Sequence, residues 1–363
     1  MNPPDSSGTP LQHSWRLTRA GAPLEAATEP LPQPSGTEVL LRVRACGVCH
    51  SDLHLVDGFF DLGQGQRLDL AKGMPLPLTL GHEIAGDVVA AGPLAEGAPL
   101  GQPRVAYPWI GCGACPSCRR GVEQHCDRPR ALGVSRHGGF SDHVLVPHPR
   151  YLFEHGTLPR AFAATLACSG LTAYSALRKA APITHDQPLL IIGAGGVGQA
   201  AISIACAMFG VGPVVADIDP AKREAALAAG ASEAVDPQDP QTQELRRRLL
   251  RQTDGGFAAA VDFVGMPATA ELGLSTLRKG GRLIVVGLFG GALSLALPTL
   301  PLRGVSVAGS YVGSLDEMAQ LMALARSGVI APLPIETRTL DQVQATLADL
   351  RQGRIRGRAV LLP

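Results

Sequence analysis

Four cysteines fall within one short stretch, Cys112, Cys115, Cys118 and Cys126, with the spacing C-x2-C-x2-C-x7-C. Thiolates spaced in this way can close around one tetrahedral Zn²⁺ at about 2.3 Å per sulfur, leaving no position for a reactant. Such a site would hold a structural lobe, residues 111–127, and do no chemistry. A redox or disulfide cluster is the rival reading. Gly111 and Gly113, which let the backbone turn around a metal, favour zinc. A reactive centre must then be sought elsewhere. Cys49 in CGVCHSDLH, His82 in GHE and Cys168 in ACSGLTAY supply two sulfurs and one nitrogen. Three protein ligands with a fourth position left for water or substrate is the pattern of a catalytic zinc. The expectation is two Zn²⁺ per chain, one structural and one catalytic. Cys46 competes with Cys49, and Cys49 is preferred because Ser51, Asp52 and His54 follow it.

A zinc with an open position can act as a Lewis acid on an alcohol oxygen and lower its pKa, so that hydride can leave the carbon. A histidine ligand usually gives its other ring N–H to a carboxylate, for which Asp52 is the leading candidate. Ser51 is placed to take the alcohol proton and His54 to pass it to solvent. The hydride acceptor has its own signature. Gly193-Ala194-Gly195-Gly196-Val197-Gly198 follows the apolar run LLII and opens a helical pattern. In that context the glycines make a tight turn, admit a pyrophosphate to the backbone, and let helix and strand pack closely. Asp217 ends the next strand, 24 residues after Gly193. A carboxylate there can bind both ribose hydroxyls and repels a 2′-phosphate, which predicts NAD over NADP. A helix N-cap is the other reading of Asp217, disfavoured by its place at a strand end. Lys222 could reach the same ribose or be an ordinary exposed helix lysine.

These groups need two kinds of scaffold. Residues 13–160 read as short β segments broken by Gly and Pro, including TEVLLRVRACG, HEIAGDVVAAG and PRVAY, which fits a β-barrel-like unit. From about residue 161 the chain turns Ala-rich and helical, then alternates strand and helix to residue 309, with a charged helix near 240–251. The continuous apolar strands predict a doubly wound parallel sheet. Residues 310–363 read as two helices and a final strand that return to the first unit. Residues 1–12 read as a disordered tail without a signal peptide. Net charge is +1, with no long basic run, so no nucleic-acid partner is expected. No apolar run of about eighteen residues predicts a membrane span. Eight cysteines spaced for metal imply a reducing, cytoplasmic setting.

Taken in order, CGVCHSDLH, GHEIAG, the four-cysteine run, CSGLTAY and GAGGVG resemble the zinc-dependent medium-chain alcohol dehydrogenases. The resemblance runs from about residue 15 to Pro363. It implies a GroES-like catalytic domain and a Rossmann domain, with the active site between them. It implies Cys49, His82 and Cys168 as catalytic-zinc ligands, with Glu83 as an occasional extra ligand, and Ser51 and His54 as the proton relay. It implies His50 at a cofactor phosphate, Thr172 at the nicotinamide, and Arg358 at the pyrophosphate, with Arg356 the alternative. Val286 is placed among the cofactor-contacting positions. It also favours a homodimer or homotetramer, with the apolar segment 290–307 available for a sheet-extending contact.

Trp109, Ile110, Leu288, Phe289 and Tyr311 are the candidate pocket residues. They suit primary or secondary aliphatic or aromatic alcohols, or the matching aldehydes and ketones. The polyol branch often has a carboxylate in place of Cys168, and the cinnamyl-alcohol branch prefers NADP, which Asp217 opposes. A polyol or sugar-alcohol dehydrogenase is the nearest alternative. A zinc-free quinone or enoyl reductase would lack the ligand set, and a non-catalytic binding protein would have lost part of it. Between His54 and His82, DGFFDLGQGQRLDLAKGMPLPLTL is long for this pattern. It reads as a flap at the substrate entrance, with Phe59 or Phe60 lining the pocket, or as a surface elaboration or subunit contact.

Overall fold

The computed structural model describes residues 10–239, 247–248, 250–251 and 255–363. Most of the charged helix expected near 240–251 lies outside these residues, as do residues 1–9 of the expected tail. The end of that tail is ordered structure. Leu11–Leu17 is a strand, paired antiparallel with Glu25–Pro30, so Leu11 and Gln12 belong to the fold.

Two sheets position the candidate site. In the first, Val39–Gly47 pairs antiparallel with Glu83–Ala91 on one side and with Arg358–Leu362 on the other. This register sets Gly47 opposite both Glu83 and Val360, joining three sequence-distant segments at one point. The second sheet is parallel. Its spatial order is Glu233–Val235, Val214–Ala216, Leu189–Ile192, Phe257–Asp262, Leu277–Val285 and Ser306–Gly309. Numbered along the chain, that is the 3-2-1-4-5-6 order of a doubly wound dinucleotide fold. Every residue of Leu189–Ile192 and of Phe257–Asp262 is buried. Helices cover both faces of such central strands, so they lack the alternation of a one-sided sheet.

The Ala-rich stretch after residue 160 is not one regular helix. Arg160–Thr165 and Leu171–Ala180 are α-helical, but Leu166–Gly170 between them is a π turn. The long segment after His54 is folded. Phe59–Gly63 and Gln66–Asp69 form an antiparallel hairpin, and its turn residues Gln64 and Gly65 have φ of 53° and 76°. Positive φ at both central positions suits the twist of a tight hairpin. A Cβ on Gly63 would lie 2.7 Å from the backbone of Gly291 and Ala292, and one on Gly290 would lie 2.5 Å from Asp61 O. The hairpin tip therefore rests against the loop that follows the fifth parallel strand. Segment 290–307 holds a short helix and the start of one strand. Thr299–Arg303 is a short helix, and Ser306–Gly309 alone joins the sheet. No helix among the described residues is long and apolar enough to cross a membrane.

His155 gives the fold a specific acid sensitivity. It is buried, and neither ring nitrogen has a hydrogen-bond partner among the described residues. Burial lowers its pKa from the ordinary histidine value. A histidine whose pKa is depressed by folding contributes stability that is complete above its unfolded pKa, about 6.5. That contribution is lost as pH falls toward the folded value. His155→Leu should therefore lose less melting temperature than the wild type between pH 8 and pH 5. Parallel losses in the two proteins would contradict this.

Candidate active site

Cys49 ends the approach from Val39–Gly47 and caps the helix His50–Asp57. Asp52 Oδ2 accepts the Cys49 N–H at 2.8 Å. Its other oxygen, Oδ1, accepts the Gly81 N–H at 3.3 Å and lies 3.3 Å from His82 Nδ1. One fully buried carboxylate thus fixes both the helix that starts at Cys49 and the turn that presents His82. Gly81 has φ of 87°, and a Cβ there would strike Phe140 at 2.4 Å, so the turn into His82 requires glycine. Cys168 comes from the π turn. A π turn shifts side chains relative to a regular helix and is common at functional sites. Here Glu83 Oε1 accepts the Ser169 N–H at 3.0 Å, taking one donor out of the helical ladder.

One ligand atom from each of Cys49, His82 and Cys168 lies within 4.8 Å of the other two, and all three residues are buried. Cys46 is not part of this group. Its Sγ faces the other way, toward Gly81 and Gly139. Among the described residues both nitrogens of His82 lack a hydrogen-bond partner, and Nδ1 has only the 3.3 Å approach of Asp52. A fully buried imidazole with no partner at Nε2, facing two sulfurs, fits a metal. Cys49 is held well below the usual thiol range, first by a hydrogen bond from Cys168 and then by the charges of Arg358 and His82.

The second group, Cys112, Cys115, Cys118 and Cys126, also has its sulfurs within 4.8 Å of one another. The Cys112 and Arg128 N–H groups donate to Cys126 Sγ at 3.2 and 3.3 Å, as suits a thiolate ligand. A Cβ on Gly111 would meet Cys118 Sγ at 2.4 Å, so that glycine is needed for the four sulfurs to converge. Four sulfurs in this arrangement fit a closed zinc site.

The glycine turn follows Leu189–Ile192 directly. Gly193 has φ of 88°, and a Cβ on Gly198 would fall 1.9 Å from Gly193 O. A Cβ on Gly195 would meet nothing within 4 Å, so the protein's own packing leaves this side of the turn open. An open face over the N-terminus of the helix Gly196–Phe209 fits a pyrophosphate. Asp217 accepts the Ala194 N–H at 2.7 Å and the Asp219 N–H at 2.9 Å, which places its carboxylate beside the same turn. Asp219, not Asp217, caps the next helix. Lys222 lines an open cleft of about 830 Å³ together with Ala194, Asp219, Arg356 and Gly357. Val286 donates its N–H to Asp262 O at 2.9 Å, and Thr172 is buried on Leu171–Ala180.

Arg358 links the two centres. Its Nε donates to Glu83 Oε2 at 3.0 Å and its Nη2 to Glu83 Oε1, while Nη1 lies 3.0 Å from where a Cβ of Gly196 would stand. Glu83 follows His82, so a single buried ion pair runs from the metal ligands to the nucleotide turn. The sequence marks each residue separately but not their pairing. Gly47 makes room for it, since a Cβ there would lie 1.9 Å from Glu83 Oε2.

Ser51 Oγ is 3.7 Å from Cys49 Sγ. The His54 ring lies against Phe60 at 4.8 Å and the His50 ring against Phe289 at 5.5 Å, both pairs tilted. Phe60 thus reaches the relay histidine, whereas Phe59 packs under Arg67. Trp109 lies 5.2 Å from the His82 ring and 5.9 Å from Tyr311. Ile110 departs from expectation. It lines a separate 210 Å³ cavity beside Cys112, Arg130 and Arg150 at the structural lobe. Ile110 donates its N–H to Pro108 O at 2.9 Å, so the chain turns tightly just past Pro108.

The family model for the alcohol dehydrogenase GroES-like domain matches residues 35–156, and that for zinc-binding dehydrogenase matches residues 196–327. An NAD-dependent alcohol dehydrogenase of Sulfurisphaera tokodaii is 38% identical, over 96% of this chain and 99% of its own length. The chain belongs to the zinc-dependent medium-chain alcohol dehydrogenase family. The solved alcohol dehydrogenase of Aeropyrum pernix superposes with a TM-score of 0.85 at 30% identity, covering 97% of this chain and all of that one. A D-arabinose 1-dehydrogenase (NADP(+)) of Saccharolobus solfataricus is 32% identical over 96% of each chain. The four-cysteine group, Cys49 and His82 lie within the first matched range, and Cys168 lies between the two ranges.

Proposed function

We propose that this chain is an NAD-dependent alcohol dehydrogenase that interconverts a primary or secondary alcohol with its aldehyde or ketone. The observation that carries this reading is the buried Cys49, His82 and Cys168 group, joined through Glu83 and Arg358 to an open glycine turn. When bound, a zinc at those three residues supplies Lewis-acid polarisation of the alcohol oxygen, and NAD at the glycine turn accepts the hydride. The second zinc belongs to Cys112, Cys115, Cys118 and Cys126. Asp52 orients His82. Ser51 takes the alcohol proton and His54, one helical turn on, passes it out. No direct Ser51–His54 hydrogen bond exists among the described residues, so a bridging hydroxyl or water completes the relay. Burial holds His54 below the ordinary histidine range, with Asp57 opposing, so its imidazole is neutral and able to accept.

His50, Thr172, Val286, Lys222 and Arg358 are assigned to the cofactor, with Asp217 as the ribose partner. Trp109, Tyr311, Phe60, Leu288 and Phe289 are assigned to the substrate side, and the hairpin Phe59–Asp69 to its mouth. We assign the catalytic unit to residues up to 160 and to 310–363, and the nucleotide unit to 161–309. The exposed edge strand Ser306–Gly309 can extend its sheet through a second copy, in a homodimer or homotetramer. Cysteines reserved for metal suit the cytoplasm.

The test is NADH formation with a panel of alcohols, run beside Asp217→Ser. The wild type should reduce NAD and use NADP poorly. The variant should lose roughly tenfold in kcat/KM with NAD, through a lost charge-assisted ribose contact, and gain on NADP. A wild type that reduces neither cofactor with any alcohol would refute the reading.

A further inference from the structure

Cys49 and His82 sit beside strands of the first sheet, whereas Cys168 is carried by the π turn Leu166–Gly170. That turn must be held against the strands for the three ligands to converge. Within it the Leu171 N–H reaches back to Leu166 O, the wider spacing of a π turn. Hydrogen bonds from outside the helix flank the ligand. On one side Glu83, next to His82, accepts the Ser169 N–H at 3.0 Å. On the other Trp109 donates its indole N–H to Ala167 O at 3.1 Å. The Trp109 ring itself lies 5.2 Å from the His82 ring, tilted by 55°. A closed circuit of contacts therefore runs from His82 through Glu83 to Ser169, past Cys168 to Ala167, and back through Trp109.

Trp109 is itself held in place. Ile84 pairs with Ala106, so the strand Pro103–Ala106 leads the chain past His82. Trp109 is the central residue of the tight turn between Pro108 and Ile110. The Leu132 N–H donates to Pro108 O at 3.0 Å and the Arg130 N–H to Ile110 O at 2.8 Å, which fixes both ends of that turn. Trp109 and Ala167 are both buried. A partner lost in such a place is not replaced by solvent.

We propose that Trp109 is a positioning residue for the metal centre. Its indole N–H, given to Ala167 O, fixes the backbone that carries Cys168 and so keeps its sulfur with Cys49 and His82. This role is separate from the wall that the same ring gives the substrate pocket. It rests on the dehydrogenase reading, which puts zinc at Cys49, His82 and Cys168. Groups that orient a ligand without touching the metal are typically worth about 10–100-fold in metal affinity. A bond to the neighbouring backbone should stand at the lower end.

The experiment follows metal release in the absence of substrate and NAD. Zinc-loaded protein is mixed with excess chelator, and protein carrying cobalt(II) at the open site is followed by its visible absorption. The wild type should lose zinc in two phases, the open site first. Trp109→Phe keeps an aromatic ring and removes the N–H. It should speed the first phase roughly tenfold, shift the cobalt bands and leave the second phase unchanged. Wild-type metal release and cobalt bands in Trp109→Phe, with only KM for alcohols altered, would leave the ring as a pocket wall and overturn the inference while the dehydrogenase reading stands. Equal acceleration of both phases would mean general loosening and overturns it too. Should Trp109→Phe fail to fold, benzothienylalanine at position 109, which sets sulfur in place of the N–H on a ring of nearly the same shape, makes the same comparison. Wild-type protein that holds no metal at the open site removes both the reading and the inference.

Discussion

Cys49→Ser is expected to abolish NAD-linked alcohol oxidation while leaving NAD binding in place. Lewis-acid stabilisation by a catalytic metal is worth several kcal/mol, and each 1.36 kcal/mol is tenfold, so a loss of roughly 10³-fold in kcat/KM is the expected scale. The fold should survive, because Asp52 accepts the backbone N–H of residue 49, which the substitution keeps. Cys46→Ser is the informative control. Cys46 lies three residues away and is fully buried, but its sulfur is outside the ligand group. It should lose stability, not catalysis. Kinetics of the two variants, with NAD binding followed by NADH fluorescence, check this. Equal losses of activity would mean that the ligand set has been misassigned.

The second large effect is expected at Arg358. The Glu83–Arg358 pair is buried on both sides. Removing one partner of such a pair typically costs about 3–5 kcal/mol, because the remaining charge is stranded. Arg358→Met should lower the melting temperature and weaken NAD binding together, since the same guanidinium faces Gly196. The pH dependence has a definite sign. Burial raises the Glu83 pKa, and Arg358 is the largest influence holding it down. An acid whose folded pKa is raised loses stability as pH rises through that value and regains it below the unfolded pKa, about 4.3. The deficit of Arg358→Met relative to wild type should therefore shrink as pH falls from 8 toward 5. Glu83→Gln combined with Arg358→Met should recover part of the stability but not the NAD affinity. Thermal melts across pH and NADH titrations separate the two. A deficit independent of pH would remove Glu83 from the explanation.

Much of the site was legible because its signals are local. Cysteine spacing fixes which sulfurs can converge, and glycines around residue 193 mark a turn that no other residue can make. The doubly wound order likewise follows from apolar runs alternating with helical periods. What could not be read depends on sheet register. Glu83 and Arg358 are 275 residues apart and meet only because Val39–Gly47 pairs with both of their strands. Cys168 lies in a periodic Ala-rich stretch whose pattern predicts a regular helix. The π turn arises from Glu83 capturing the Ser169 N–H, a long-range event. Ile110 was grouped with Trp109 by composition, whereas it lines the cavity at the structural lobe, where the chain turns tightly after Pro108. Leu11 and Gln12 join a strand because Glu29 and Pro30 pair with them, which a polar, Pro-rich start conceals.

The most direct single measurement is zinc content per chain of the purified protein, followed alongside the rate of NADH formation during graded chelation. Two zinc ions per chain should be found at the outset. Activity should vanish as the count falls from two to one and return when zinc is restored. The Cys112, Cys115, Cys118 and Cys126 site should hold its metal longest, having no open coordination position. Full activity in protein carrying one zinc or none would contradict a metal centre at Cys49, His82 and Cys168.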